Sequence, residues 1–419
     1  MKRVLMVTFQ FPPYAGSSAV QRTLRFVKHL PSLGWEAIVL TATPRAYETT
    51  SDDLVSEVPP GTIVARAAAL DVARHLSIFG KYPTALARPD RWNNWRIDGV
   101  RAGLSLIERY SPAMIWSTFP IPTAHDIAGR LHQRSGLPWI ADFRDPMAQD
   151  GYPEDPKTWQ SFKAIEERTV RAAARSVFTT PSAVKTYRER YADMDPNRIV
   201  LIENGFDEES FSVAAELARG TGPLNPGCFT LLHSGVVYGT ERDPTQLFAA
   251  LGRLREQGRI DSDRLRIRFR APVHVELLRR LAADNRIEGI VEILPMAPYK
   301  DALQEMVRAD ALLVMQAACC NEQIPAKLYE YLRAGRPILG LTDIRGDTAQ
   351  TLRSHGVNEV AALADEDEIA AIFCRILDEP SFRTSLVPNA VAARQASREA
   401  RTAQLASLFD AALTDAGRR

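Results

Sequence analysis

Short apolar runs rich in β-branched residues alternate along this chain with stretches whose apolar residues fall three or four apart. The chain opens on KRVLMVTF, too short for a helix and rich in strand formers. After the loop FPPYAGSSAVQ, residues Val20, Leu24, Val27 and Leu30 share one helical face, Gly34 ends the helix, and WEAIVLT reads as a second strand. Strand, helix, strand is a βαβ unit, and that implies a parallel sheet, because adjacent parallel strands need a crossover. The alternation continues through AMIWST, a helix near Thr123 to Arg134, WIADF, a helix near Pro156 to Ala174, SVFTT and RIVLI.

From Arg219 to Gly227 the chain reads RGTGPLNPG, where glycine and proline concentrate and periodicity disappears. This predicts a linker or surface loop between domains. The alternation then restarts with CFTLLHSG, a helix from about Asp243, LRIRFR, a helix near His274 to Ala283, IVEIL, a helix near Lys300 to Arg308, ALLVMQ, a further helix and PILGL. The last 30 residues or so read as helix throughout. The expected fold class is α/β, with two doubly wound parallel-sheet domains: residues 1–205, residues 206–390, and a terminal helix over 391–419 packing back on the first. Ligands of such sheets bind at the carboxyl ends of the strands, so a cleft between the two domains is expected there.

Length agrees, since 419 residues exceed one ordinary core. A hydrophobic content of 45% with 25% charged residues is that of a soluble globular protein, and a net charge of +1 gives no reason to expect nucleic acid. No cationic then apolar opening suggests a signal peptide, and no run approaches a membrane span. A cytoplasmic protein is expected, with Cys228, Cys319, Cys320 and Cys374 as reduced thiols.

The chemistry gathers after strands, in FPPYAGS, STFPIPTAH, DFRDP, HSGVVYGTER and QAACCNEQIPAK. In NEQIPAKLYEYLRAGRPILGL two carboxylates, Glu322 and Glu330, stand eight apart with Pro325 between them. Glu322 falls in a loop and Glu330 one to two turns into the helix that follows. Carboxylates there accept hydrogen bonds from hydroxyls, while a helix start offers free N–H groups and a favourable dipole to phosphate.

With the exit E-Y-L-R-A-G-R-P-I-L, the turn Ile202-Glu203-Asn204-Gly205-Phe206-Asp207 and the opening strand with FPP-x-x-G, nearly the whole chain resembles the retaining GT-B glycosyltransferases of family 4. DFRDP after WIA further resembles a bacterial subgroup tied to surface polysaccharide and lipid-linked sugar assembly. The resemblance implies transfer of a sugar, with retention, from a UDP- or GDP-sugar donor to a glycan or lipid-linked acceptor, without metal or other cofactor. It implies that Glu330 binds ribose hydroxyls, that Glu322 holds sugar hydroxyls, and that amides at the helix start meet the phosphates. Lys327 has two readings, as a diphosphate ligand or as a partner of Glu330.

Two departures accompany these matches. Pro325 stands where the family often has glycine, which removes one N–H, though proline suits a first helical position. Val236 replaces an expected arginine, while Arg242 keeps the second expected cation and is the choice for neutralising the leaving diphosphate; its bland reading is a pair with Glu241 or Asp243. In the first domain Gly16 would let backbone approach the donor, and His125 would face the transferred sugar. Asp142, Arg144 and Asp145 would orient the acceptor or bind donor hydroxyls, or else lock one another in a salt-bridged loop.

The stretch from Arg66 to Arg109 is basic and carries Phe79, Tyr82, Trp92 and Trp95, which suits peripheral contact with a membrane surface or else a solvated face with buried tryptophans. Two D-x-D sequences, Asp193-Met194-Asp195 and Asp261-Ser262-Asp263, read as turns and not as metal sites. The competing readings are a GT-B-type sugar-nucleotide epimerase, an inverting transferase, and a degenerate domain that only binds.

Overall fold

The computed structural model describes residues 1–15, 19–77, 79 and 81–417. It divides into two compact units, Met1–Glu203 with Arg398–Arg419, and Asn204–Ser397.

In the first unit, seven strands form one sheet: β1 (Lys2–Val7), β2 (Trp35–Ala42), β3 (Ile63–Ala67), β4 (Met114–Thr118), β5 (Trp139–Arg144), β6 (Arg175–Phe178) and β7 (Ile199–Leu201). Their order is β3-β2-β1-β4-β5-β6-β7, and every neighbouring pair is parallel. The central strands are buried on both faces, which is why they read as continuous apolar runs and not as alternating ones. One face packs Leu5, Val7, Ile115 and Phe143 against the helices Trp95–Tyr110, Pro122–Ser135 and Pro156–Ala172. The other packs Val4, Met6 and Trp116 against the helix Ala19–His29 and the terminal helix Arg398–Gly417. Trp35 ties that last helix down, with its ring 5.0 Å from Phe409 and its Nε1 donating to Asp410 Oδ1 at 3.1 Å.

The second unit repeats the plan with β8 (Phe229–Ser234), β9 (Leu265–Arg270), β10 (Val291–Leu294), β11 (Ala311–Gln316), β12 (Ile338–Thr342) and β13 (Val360–Ala361). The order is β10-β9-β8-β11-β12-β13, again parallel throughout. In both sheets the strand order reverses beside the first strand, and the gap between the two crossover directions is where such folds bind ligands.

Two expectations are corrected. The loop at 219–227 lies inside the second unit and does not join the units. The helix Glu208–Ala218 precedes it, and Arg308 Nε donates to the carbonyl of Gly222 at 2.9 Å, holding the loop to its own unit. The C-terminal region is not one helix. Ala390–Gln395 ends, the Phe206 N–H donates to the Ala396 carbonyl at 3.2 Å, Ser397 bridges to Phe206, and only then does Arg398–Gly417 begin. Backbone pairing with a distant residue breaks the helix where no glycine or proline marks it.

Candidate active site

The second unit brings four polar side chains together at the reversal point between β8 and β11. His233 is the next-to-last residue of β8 and is fully buried. Its Nδ1 is 3.0 Å from the Leu313 carbonyl on β11, so Nδ1 carries the proton and donates. Nε2 is then an acceptor, and Lys327 Nζ lies 2.9 Å from it. Burial, followed by the charge of Lys327, pushes the His233 pKa well below its usual value. Burial and the charge of Arg242 push Lys327 well down, while Glu330 acts the other way.

The turn after β8 is shaped to admit these cations. Gly235 has φ +105°, and a Cβ there would lie 3.4 Å from Lys327 Nζ. A side chain would therefore strain the backbone and crowd the ammonium. The loop next pairs Val237 with Val273 and returns Arg242, whose NH1 donates to the Val236 carbonyl at 3.0 Å and whose guanidinium lies 5.2 Å from the Tyr238 ring. Arg242 is half-buried, its Nε has no hydrogen-bond partner, and it has no carboxylate partner among the described residues. The bland reading, a pair with Glu241 or Asp243, is thus not what forms.

The helix Ala326–Ala334 carries the other wall. Pro325 is its N-cap, with φ −57° and ψ 128°, and makes no side-chain cap. The sequence had suggested the first helical position; the extended ψ places proline one residue earlier. The first N–H groups of the helix therefore start at Ala326 and meet no capping side chain, the arrangement that favours an anion. The Tyr331 hydroxyl accepts from the Ser234 N–H at 2.8 Å, which pins this helix to the end of β8. Glu330 Oε1 accepts from the Tyr299 hydroxyl at 2.8 Å. Glu322 is exposed on the loop between β11 and the helix. Lys327 thus pairs with His233, a partner outside both sequence readings, and Glu330 reaches it through charge.

In the first unit the candidates separate. Gly16 lies outside the described residues. Asp142, at the carboxyl end of β5, is locked by Arg22, with Nε to Oδ2 at 2.9 Å and NH2 to Oδ1 at 3.1 Å. Arg22 also donates to the carbonyls of Ile202 and Glu203, each at 2.9 Å. The pair is almost wholly buried, so Asp142 serves to tie β5 to the segment that Arg22 holds. The expected lock within the DFRDP cluster forms with Arg22, not with Arg144.

Arg144 is different. It has φ +64° beside a bulge in β5, and its buried Nε has no partner among the described residues. A non-glycine residue in this region costs about 1–2 kcal/mol and clusters at working sites. Asp145 follows it, exposed at the same sheet end. Arg144→Gly should be more stable than Arg144→Ala by about 1 kcal/mol, read from paired denaturant midpoints. Equal stability would mean the backbone carries no strain.

His125, expected to face the transferred sugar, lies on the helix after β4. It is fully buried beside Trp139 and Phe143, with Nδ1 2.7 Å from the Ser117 hydroxyl. Burial holds its pKa at about 3. A histidine packed this way is held neutral by its burial. In the unfolded chain it would titrate near 6.5, so stability should fall as pH drops from there toward 3, by about 1.4 kcal/mol per pH unit. His125→Gln should remove that part of the acid limb in urea titrations at several pH values. An unchanged slope would contradict the assignment.

The sequence also missed Arg22 and His233. Neither carries a local signal, since Arg22 meets Asp142 across 120 positions and His233 looks like any residue closing a buried strand. The two D-x-D sequences are turns: Asp195 caps Pro196–Arg198, Asp193 pairs with Arg171, and Asp261 accepts from the N–H groups of Asp263 and Arg264.

Residues 18–205, just under half of the chain, match the family model of a glycosyl transferase 4-like domain. No curated protein matches the chain. Solved structures similar to it include sucrose-phosphate synthase from Thermosynechococcus elongatus, at TM-score 0.69 and 13% identity, covering 99% of this chain and 100% of that one. Anabaena HepE in complex with UDP aligns at 0.70 and 14%, covering 98% and 100%. The UDP-forming α,α-trehalose-phosphate synthase from Burkholderia xenovorans, in complex with glucose-6-phosphate, aligns at 0.65 and 13%, covering 99% and 100%. At these identities the likeness is one of fold, and the chain has the two parallel-sheet α/β units of the GT-B fold, with a glycosyl transferase 4-like segment spanning most of the first.

Proposed function

We propose that this protein is a retaining glycosyltransferase that moves a sugar from a nucleotide-diphosphate donor to a glycan or lipid-linked acceptor in cell-surface polysaccharide or glycolipid synthesis. The observation that carries the donor half of this reading is the cation pair Arg242 and Lys327. Burial and then the charge of Arg242 push the Lys327 pKa well down, Lys327 stands in the first turn of a helix whose start is uncapped, and no carboxylate neutralises Arg242 among the described residues. Such a site is built for a diphosphate. Glu330, one turn on from Lys327, suits the ribose hydroxyls, and Glu322 those of the sugar. HepE, similar in fold, is described in complex with UDP and with UDP-glucose, which supports a UDP-sugar donor.

In this mechanism Arg242, Lys327 and the helix amides stabilise the charge that grows on the leaving diphosphate, an electrostatic role needing no protein nucleophile. The reading assigns no role to a metal. Arg144 and Asp145 are proposed to face the acceptor. Membrane contact, also part of the proposal, would use the exposed Leu76, Phe79 and Leu86 near Lys81. Four arginines of that segment are already paired, Arg88, Arg91, Arg96 and Arg101, so the apolar tip and not the charge would lead. No helix among the described residues is long and apolar enough to cross a membrane.

A diphosphate beside Lys327 would raise its depressed pKa. Above the free-protein pKa the complex then holds more proton than the free partners, so binding takes up a proton and weakens as pH rises through that window. Calorimetric enthalpies of UDP binding in Tris and in HEPES should differ by the uptake, and Lys327→Met should abolish the difference. Identical enthalpies in the native protein would contradict the role given to Lys327.

A further inference from the structure

Three arginines on three helices of the first unit converge on one carboxylate. Arg96, on Trp95–Tyr110, places NH1 3.3 Å from Asp126 Oδ2, and Arg130 places Nε 3.3 Å from the same oxygen. Arg168, on Pro156–Ala172, places NH2 3.7 Å from Oδ1. Asp126 and Arg130 share the helix Pro122–Ser135. Three cations against one anion leave a surplus of +2. Asp126 is only 12% exposed, whereas Arg96, Arg130 and Arg168 are 42, 44 and 61% exposed, so their remaining N–H donors are open to solvent. The Arg168 guanidinium donates no hydrogen bond among the described residues.

The other acids on these helices do not offset the surplus. Asp98 holds Arg101, Glu166 holds Lys163 and Arg190, and Glu167 holds Arg171. Glu108 stands in the last turn of its helix, about 18 Å along the axis from Arg96. Asp90, near enough to feel the Asp126 charge, accepts from Thr123 and Trp92 and pairs with none of the three arginines. Beside the cluster a cavity of about 280 Å³ opens between the helices Pro122–Ser135 and Pro156–Ala172. Arg130, Arg168, Gln133 and Thr169 give it a polar lining, with Ile165 and Trp139 as apolar floor.

The charge selects the ligand. A phosphomonoester carries roughly −1.5 to −2 near neutral pH and presents three acceptor oxygens, which guanidinium forks meet in pairs. A single carboxylate would neutralise half of the surplus, and a neutral molecule none of it. We propose that this arginine cluster and its cavity bind a phosphomonoester dianion, held by Arg130 and Arg168 while Asp126 keeps the cluster gathered before the ligand arrives. The four residues of the cluster lie on helices and not in the loops that follow the strands, so the site is separate from the donor and acceptor candidates.

The test is calorimetric titration of the full chain with inorganic phosphate and with glycerol phosphate, and sedimentation with phosphatidylcholine vesicles with and without phosphatidic acid. Binding of the soluble phosphates marks a free ester as the occupant; binding only to the phosphatidic acid vesicles marks a lipid headgroup. In either case Arg168→Gln should weaken binding about tenfold, the worth of a hydrogen bond to a charged group. That substitution removes only an exposed ion contact, so its melting temperature should hold. Asp126→Asn keeps the side-chain shape and raises the surplus to +3, so it should strengthen binding, a gain that a merely structural ion-pair network would not show. The component that depends on Arg168 should be the same in the native chain and in Arg242→Ala, so this proposal and the transferase reading fail independently. No binding of phosphate, glycerol phosphate or phosphatidic acid vesicles, binding that Arg168→Gln leaves intact, or weaker binding by Asp126→Asn overturns the proposal.

Discussion

Arg242→Ala is expected to lower kcat by about 100- to 1,000-fold while changing the KM for the donor far less. The reason is timing. Charge on the β-phosphate oxygens increases as the bond to the anomeric carbon breaks, so a cation fixed beside them is worth more in the transition state than in the ground state. Arg242 is already fixed. Its NH1 bonds to the Val236 carbonyl, and its guanidinium lies beside Tyr238. No carboxylate among the described residues neutralises it, so its charge remains for a phosphate. Arg242→Lys should recover part of the rate but not all, because an ammonium lacks the planar fork. Steady-state kinetics with a saturating acceptor would check the split. A rise in KM with kcat unchanged would reassign Arg242 to ground-state binding.

The second large effect is on binding. Glu330→Ala should weaken nucleotide affinity by about 2 kcal/mol, the scale of a hydrogen bond to a charged group. That is roughly thirtyfold in Kd. The side chain is held by the Tyr299 hydroxyl and sits on a helix tied to β8 through Tyr331, so it is positioned before any ligand arrives. Its loss also removes the carboxylate that favours the charged form of Lys327. Glu330→Gln keeps the hydrogen-bonding shape without the charge, and should fall between alanine and the native residue.

The fold was legible because its strands are buried on both faces, and the runs VLMV, AIVL and LLVM carry no polar position to interrupt them. Glu330 and Arg242 drew attention through their spacing from a helix exit and a glycine turn, and their roles remain part of the proposal. What the sequence hid depends on long-range partners. The bond from Arg22 to Asp142 and the packing of Trp139 and Phe143 around His125 both join residues far apart in the chain. His233 was hidden for the opposite reason. It reads as the end of a buried strand, and only the approach of Lys327 from the next helix but several gives it electrostatic meaning. The glycine- and proline-rich loop at 219–227 has the composition of a linker, and only the bonds from Arg308 to its carbonyls show that it stays within one unit.

The account stands on the claim that the end of β8 and the start of the helix Ala326–Ala334 form a nucleotide-diphosphate site. Isothermal titration of the native chain and of Glu330→Ala with UDP, GDP and their glucose and mannose conjugates addresses it most directly. The account predicts that one nucleotide class binds the native chain at a single site and that the variant binds it roughly thirtyfold more weakly. No binding of any nucleotide, or equal binding by the two proteins, would contradict it.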